Sequence, residues 1–302
     1  MGVAVGDINN DGYPDVYITN YGPDALYRNN GDGTFTDITK QAGISNPLWG
    51  CSAIFFDYNL DGFLDLYVTN YVDYDPENVC IDEGGRRDYC GPGGFSGVPD
   101  LLYHNNGDGT FTDISILSNI ATGLSKGLGV VSADFNRDQY PDLYVANDGE
   151  ANHLWINQKD GTFQDQALLL GAALNERGLP EASMGIALGD IDSDNDTDLF
   201  VTHVRHESNT LYRFTGEYGF QDDSRAVGLA GTSIPYTNFG TGFSDFDNDG
   251  DLDIAIVSGR VTRSALLTTN SPPEYWDHCH RKPVLCFWEK IYTLRRVGEV
   301  KR

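Results

Sequence analysis

The sequence predicts an all-β protein assembled from four-stranded antiparallel blades, and three observations carry that prediction. A nine-residue acidic segment recurs five times, beginning at positions 7, 57, 134, 190 and 245. Each copy is bracketed by short runs of β-branched and aromatic residues, the composition of strands. The first three copies are followed by the turn signals NNGDGTF, NNGDGTF and NQKDGTF, which mark hairpins between apolar runs. Four strands repeating at a period near 50 residues describe blades arranged in a ring, a β-propeller. A parallel β-helix would need shorter rungs, and a sandwich would not repeat its sequence.

The elements of a blade follow in order. Strand 1 reads VAVGD, SAIFFD, GVVSAD, GIALGD and GTGFSD in the five repeats. Strand 2 reads DVYITN (15–20), DLYVTN (65–70), DLYVAN (142–147), DLFVTH (198–203) and DIAIVS (253–258). Strand 3 runs into the hairpin in ALYRNNGDGTF (25–35), LLYHNNGDGTF (101–111) and HLWINQKDGTF (153–163), with a weaker copy in 210–224. Strand 4 opens at the hairpin phenylalanine. In an up-and-down blade successive connections alternate between the two faces of the ring. The acidic segments (strands 1–2) and the hairpins (strands 3–4) are therefore expected on one face, and the 2–3 and 4–1 connections on the other.

The acidic segments are candidate cation loops. Positions 1, 3, 5 and 9 carry Asp7, Asn9, Asp11 and Asp15; Asp57, Asn59, Asp61 and Asp65; Asp134, Asn136, Asp138 and Asp142; Asp190, Asp192, Asp194 and Asp198; Asp245, Asp247, Asp249 and Asp253. The position 7 carbonyls of Tyr13, Phe63, Tyr140, Asp196 and Asp251 are expected as further ligands. Hard oxygen donors crowded round a sharp turn suit Ca²⁺, which takes 6–8 of them. The spacing matches the first half of an EF-hand loop without its final glutamate or its helices. Without a cation the carboxylates repel one another, and the alternative of plain Asp/Asn/Gly turns weakens with every copy in register. Loops 1, 2 and 5 have glycine at position 6 (Gly12, Gly62, Gly250) and loop 4 has Asn195. Loop 3 departs most, with Gln139 there and Arg137 at position 4, and is expected to be the weakest site.

Composition narrows the function. The 302 residues carry a formal charge of −25, and residues 1–259 hold 11 Lys/Arg against 41 Asp/Glu. So acidic a body excludes nucleic acid as a partner and would be repelled by anionic lipid. No run of 18 apolar residues is present, so no membrane span is expected, and Gly2–Val5 already belongs to the first blade rather than to a signal peptide. An insert, 71–100, lengthens the 2–3 connection of the second blade and falls on the face away from the acidic loops. Loops of that length are usually functional or disordered. It contains Cys80 and Cys90, read as a disulfide that closes the loop, with two free thiols in a reducing compartment as the alternative. Arg86 and Arg87 are expected to pair with Asp82, Glu83 and Asp88. Cys51 is expected to be a buried apolar residue.

Residues 260–302 break the pattern and hold 9 Lys/Arg against 4 Asp/Glu. They read as a divergent basic tail, either a different domain, a disordered end or a non-native one. Arg263 to Asn270 would still imitate a strand 3, and His278, Cys279, His280 and Cys286 form a weak soft-metal pattern. Five repeats without a strand to complete the last one are expected to be part of a seven-bladed ring.

The segments GDINNDGYPDVYITN and FDNDGDLDIAIVSG resemble FG-GAP/VCBS repeats, such as those of integrin α-subunit propellers. Together with LYRNNGDGTFTDIT and CIDEGGRRDYCGPGGFSGVPDLLYHNNGDGTF, they are similar to the bacterial relatives of cartilage acidic protein that often end in an ASPIC/UnbV domain, although no ASPIC/UnbV-like sequence is found here. The resemblance covers residues 1 to about 260 and implies a calcium-binding propeller, usually exported and without known catalysis. The expected function is a binding or adhesion module for a protein or polysaccharide, sited extracellularly, in the periplasm or at the cell surface. The competing expectation is a propeller enzyme of the polysaccharide lyase, hydrolase or dehydrogenase type. Its candidate residues are His153, His203, His206 and Glu207 on the face opposite the acidic loops, where loop histidines of no special role would equally stand. A structural spacer within a longer surface protein is a third reading.

Overall fold

A computed structural model of the chain describes residues 1–81, 85–88, 90–259 and 261, and the backbone of 288–293. The first blade is β1 (Val3–Gly6), β2 (Asp15–Ile18), β3 (Ala25–Asn29) and β4 (Phe35–Asp37), hydrogen-bonded in chain order. The second begins with β5 (Gly50–Phe56) and β6 (Asp65–Asn70). The insert then adds two short pairs, β7 (Cys80–Ile81) with β8 (Arg87–Asp88), and β9 (Val98–Pro99) with a later strand. β10 (Leu101–Asn105) and β11 (Phe111–Asp113) complete this blade, and β12 (Leu124–Ser125) pairs with β9. The third is β13 (Gly127–Ala133), β14 (Asp142–Glu150), β15 (His153–Asn157) and β16 (Phe163–Asp165). The fourth is β17 (Glu181–Gly189), β18 (Asp198–His203), β19 (Thr210–Phe214) and β20 (Phe220–Asp222). The fifth contains β21 (Thr237–Ser244) and β22 (Asp253–Gly259), with β23 (Trp288–Thr293) antiparallel to β22. The expected strand at Arg263–Asn270, the metal pattern of His278, Cys279, His280 and Cys286, and the partners Asp82 and Glu83 lie outside the described residues.

The hydrophobic core is distributed between blades. Four clusters of buried side chains sit at the four successive blade–blade interfaces. The first joins Tyr17 and Leu26 of one blade to Leu66 and Tyr103 of the next. The third joins Tyr144 and Leu154 to Val201 and Tyr212. Because a propeller blade is apolar on both faces, strand 2 is buried along its whole length in β6 and β18, as a continuous apolar run requires.

Polar staples complement this packing where strand 1 of one blade runs beside strand 1 of the next. Thr19, Thr69 and Thr202, at the end of strand 2, each donate a hydroxyl towards strand 1 of the following blade: to the carbonyls of Cys51 (3.3 Å), Leu128 (3.4 Å) and Phe239 (2.6 Å). The approach is close enough that a Cβ on Gly185 would lie 1.9 Å from the Phe239 carbonyl oxygen. Blades 3 and 4 are further joined where the end of β14 pairs with β17, Asp148 opposite Ala182 and Glu150 opposite Glu181. Among the described residues no helix is long and apolar enough to cross a membrane.

Candidate metal loops and the opposite face

All five acidic loops share one backbone design. Position 1 accepts two amide N–H groups, from positions 5 and 6: Asp7 from Asp11 (3.1 Å) and Gly12 (2.8 Å), and Asp245 from Asp249 (3.1 Å) and Gly250 (3.0 Å). Asp57, Asp134 and Asp190 do the same. Position 5 accepts the N–H of position 7, as in Asp61 with Phe63 at 2.9 Å. Position 6 has positive φ in every copy, including Gln139 (73°) and Asn195 (67°). Position 4 is left-handed too, at Asn10, Leu60, Arg137, Ser193 and Asn248. Asparagine gives a local hint of this; Leu60, Arg137 and Ser193 do not, and their strain is held by the surrounding hydrogen bonds.

Position 9 is the anchor. Asp15, Asp65, Asp142, Asp198 and Asp253 are all buried. One oxygen accepts the N–H of loop position 2: Ile8 (3.0 Å), Tyr58 (3.2 Å), Phe135 (2.9 Å), Ile191 (3.0 Å) and Phe246 (3.0 Å). In blades 1–4 the other accepts an N–H at the end of strand 3, from Asn29, Asn105, Asn157 or Phe214, each at 2.8 Å. This carboxylate thus ties loop, strand 2 and hairpin together. Burial pushes Asp65 and Asp198 up to about 6 and Asp142 up to about 7, against the lowering effect of their backbone donors. The loops are therefore not turns held solely by a cation: oriented amides already receive much of their negative charge.

The loops and hairpins do share a face. The Tyr13 ring lies under Gly31 and the Phe63 ring under Gly107, close enough that a Cβ on either glycine would collide with it. Neighbouring loops also touch: Asn10 donates to the Gly62 carbonyl (2.9 Å), and Arg137 pairs with Asp196 of the fourth loop at 2.9 Å. Arg137 therefore serves loop 4 rather than its own loop. In loop 3 a different cation is present. Lys159 takes the place that Gly31 and Gly107 hold in their hairpins, with φ of 65°. Its ammonium lies 3.3 Å from Asp138 and over the Tyr140 ring. Loops 4 and 5 carry aspartate at position 3, where loops 1–3 carry asparagine. The oxygens of Asp190, Asp192 and Asp194, and those of Asp245, Asp247 and Asp253, fall within 4.8 Å of one another. Such all-oxygen clusters fit a hard divalent cation.

The opposite face is organised by a second buried polar position that the sequence reading did not pick out. Asp24 and Asp100, two residues before the Leu of strand 3, accept from the hydroxyls of Tyr17 (2.6 Å) and Tyr67 (2.8 Å) and from the N–H of Asn20 (2.6 Å) and Asn70 (2.8 Å). Asn152 and Asn209 take the position in blades 3 and 4, accepting from Asn147 (2.9 Å) and His203 (3.0 Å). The signal was present as a repeated Asp/Asn-x-Leu-Tyr/Trp: DALY, DLLY, NHLW and NTLY. Burial pushes Asp100 up to about 7.

The insert is closed by the disulfide Cys80–Cys90. Beside it, Tyr21, Trp49, Tyr71, Tyr74 and Phe95 pack ring against ring at 5.2–5.5 Å, with Tyr21 55% exposed. Among the described residues Cys51 is the free cysteine; it is half-buried rather than buried as expected, and desolvation pushes its thiol up to about 12.

The histidine candidates separate. His153 meets the Trp155 ring edge to face in blade 3. His203 is fully buried at the end of β18, its imidazole 3.4 Å from the Ser183 hydroxyl and 3.3 Å from Glu181. That order of Ser, His and acid resembles a hydrolytic triad, but Ser183 is fully buried as well, and burial pushes His203 down to about 3. Ser183 and His203 are closed to substrate, while Glu181 also reaches the surface of a neighbouring cavity. His206 and Glu207 instead line a cavity of about 310 Å³ with Glu181 and Asn209.

A family model described as FG-GAP-like repeat matches residues 7–68, 79–145, 134–201 and 190–256. Over 167 residues the chain is 28% identical to cartilage acidic protein 1 of Homo sapiens, covering 53% of this chain and 24% of that protein. Over 169 residues it is 27% identical to the Xenopus tropicalis protein of the same name, covering 53% and 25%. The chain thus spans about a quarter of the length of these relatives. Among solved structures, the BP39L lectin from Burkholderia pseudomallei superimposes with a TM-score of 0.50 at 10% identity, covering 86% of this chain and 64% of that one. That likeness concerns the fold alone.

Proposed function

The chain belongs to the FG-GAP-like repeat family, and from that membership we propose that it is an exported, calcium-stabilised β-propeller that acts as a binding module. The five loops hold Ca²⁺ through positions 1, 3, 5 and 9 and the position 7 carbonyl. Loops 4 and 5 are the strongest sites, and loop 3, with the Lys159 ammonium already at Asp138, is the weakest. The ions are scaffold: they fasten strand 1 to strand 2 and complete the neutralisation that the loop amides begin.

The observation that carries the reading is the difference between the two faces. On one, side chains are spent on the loops' own backbone. On the other lie the cross-linked insert, the aromatic cluster and the blade 4 cavity, so a protein or polysaccharide ligand is met there. The Cys80–Cys90 bond supports an oxidising compartment. No catalysis is assigned, since Ser183 and His203 are fully buried.

Calorimetry with and without EDTA tests the calcium assignment. Each site saturated at a hundredfold excess over its Kd adds about 2.7 kcal/mol, so chelation is expected to lower Tm and added Ca²⁺ to restore it. An unchanged Tm refutes it. Turnover of a polysaccharide that is lost on changing His206 or Glu207 would move the assignment to an enzyme.

A further inference from the structure

Tyr21 follows β2 of the first blade, Trp49 precedes β5, Tyr71 follows β6, and Tyr74 and Phe95 lie in the insert. All five belong to connections on the face away from the acidic loops. The backbone brings them together. Tyr21 and Trp49 form an antiparallel bridge, and Tyr71 N–H donates to the Trp49 carbonyl (3.0 Å). Beside Tyr74 and Phe95, Asp73 N–H donates to the Ser96 carbonyl (3.0 Å) and Ser96 N–H to Asp73 Oδ1 (2.6 Å). The Tyr71 hydroxyl donates to Asp148 of the third blade. The rings are therefore fixed before any partner arrives. Tyr21 is 55% and Tyr74 37% exposed, so the cluster presents ring surface to solvent.

The fold does not require these rings. At the place that Tyr21 and Tyr71 hold after strand 2, blades 3 and 4 have Asp148 and Val204. At the place of Trp49, ahead of strand 1, they have Lys126 and Ala182. A residue needed for blade packing would recur with the repeat, as the strand 2 core positions do. The charge around the rings is also particular to this spot. Asp73 and Asp75 flank Tyr74, Glu77 follows, and all three are exposed. Asp75 Oδ1 accepts Glu77 N–H (2.9 Å), as Asp73 Oδ1 accepts Ser96 N–H. Their second oxygens and the Glu77 carboxylate have no hydrogen bond or ion pair among the described residues. Residues 71–99 hold six Asp/Glu against two bases, Arg86 and Arg87.

Rings and carboxylates together select the partner's chemistry. The face of an aromatic ring is negative and attracts a cation. A guanidinium also stacks flat on such a ring, and the carboxylates flanking Tyr74 have oxygens to spare for its N–H groups. An acidic partner would be repelled by Asp73, Asp75 and Glu77, and a neutral sugar would gain nothing from their charge. The wider field agrees, since residues 1–259 hold 11 Lys/Arg against 41 Asp/Glu, which draws a basic partner in. We propose that this aromatic cluster is the docking site for a basic segment of a partner protein, with an arginine side chain laid on the Tyr21 and Tyr74 rings and paired to the acids beside them. The proposal rests on the binding-module reading and gives that module its partner class and its site.

The test uses the full chain with Ca²⁺ and calorimetric titration at about 0.1 M salt. The probes are a hexapeptide of alternating glycine and arginine, the same peptide with lysine, the same with glutamate, and a neutral glucose hexasaccharide. The arginine peptide is expected to bind with a Kd of about 100 µM or below. The lysine peptide should bind more weakly, since an ammonium does not stack, and the other two should not bind. Tyr21→Leu, at an exposed position, should weaken arginine-peptide binding about threefold. Asp75→Asn with Glu77→Gln keeps the Oδ1 that caps Glu77 and should weaken it about fivefold. Tm should be unchanged in both variants. Asp32→Asn with Asp108→Asn removes the same charge from hairpins on the opposite face and should leave the Kd as it is. Equal weakening by the two charge pairs would reduce the attraction to general acidity and overturn the proposal. So would absence of arginine-peptide binding, or indifference to Tyr21→Leu. Hexasaccharide binding that is lost in Tyr21→Leu would overturn it in favour of a glycan, and would leave the broader binding-module reading standing.

Discussion

Replacing Asp100 by asparagine should stabilise the protein at alkaline pH and do almost nothing in acid. Asp100 is 3% exposed and accepts from the Tyr67 hydroxyl and the Asn70 N–H. Burial outweighs both donors and pushes its carboxyl up to about 7 from an ordinary 3.8. A carboxyl raised on folding binds its proton more tightly in the native state. Its contribution is therefore complete below the unfolded value near 4, and is lost as pH rises through about 7. At about 1.4 kcal/mol for each pH unit of displacement, the loss is at most about 4 kcal/mol. Asparagine does not titrate, and blades 3 and 4 already use it at this position. Its Oδ1 can accept from Asn70 as Asn152 does from Asn147, and its Nδ2 can meet Tyr67 as Asn152 meets Tyr144. Urea unfolding from pH 4.5 to 8 should show Asp100→Asn more stable than wild type at pH 8, with the gap closing as the pH falls. Protonation elsewhere affects both proteins equally and cancels in the difference. Asp100→Ala is the contrasting arm. It strands a buried N–H and a buried hydroxyl, at about 1–3 kcal/mol each, and should destabilise at every pH. An Asp100→Asn protein less stable than wild type at pH 8, or a gap independent of pH, would refute the reasoning.

Two further substitutions probe the loops and the ring. Lys159→Gly restores the hairpin of blades 1 and 2 and removes the ammonium from Asp138. The Kd of the weakest calcium site, measured by equilibrium dialysis, should fall, and an unchanged Kd would show that Lys159 does not compete with metal. Gly185→Ala puts a methyl 1.9 Å from the Phe239 carbonyl oxygen between blades 4 and 5. A cost of about 3 kcal/mol or more is expected from the overlap with backbone. A variant that melts with wild type would mean that these strands are not packed as described.

Much of the fold was legible because the repeat multiplies each local signal. Strand 2 was recognisable from five copies of one apolar run, and β6, β18 and the start of β14 fall where that run does. The NGDG turns were legible because left-handed φ is chemically specific, and Gly31 and Gly107 adopt it. The left-handed position 4 was not, because Leu60 and Arg137 carry no such preference and are held there by their surroundings. Arg137 shows the same limit in charge: its position within loop 3 suggested a weakened site, while its guanidinium serves Asp196 of the next blade. The blade 4 cavity was also out of reach. His206 and Glu207 could be singled out, but Asn209 and Glu181 join them only once three separate connections meet.

By itself the sequence determined the blade: strand content, hairpin chemistry, the acidic loops and the face each connection must take, since these depend on neighbours within about 50 residues. It also marked Cys80 and Cys90 as a pair. What lies between blades was decided by the tertiary structure. The threonine staples, the carbonyl against Gly185 and the reach of Arg137 depend on contacts between repeats, and a repeat's sequence encodes its own strands more directly than its neighbour's surface. The acidic loop changed most on folding. Its position 9 carboxylate, one of several like charges along the chain, becomes a buried acceptor of backbone amides, because only the closed blade brings strand 3 to it.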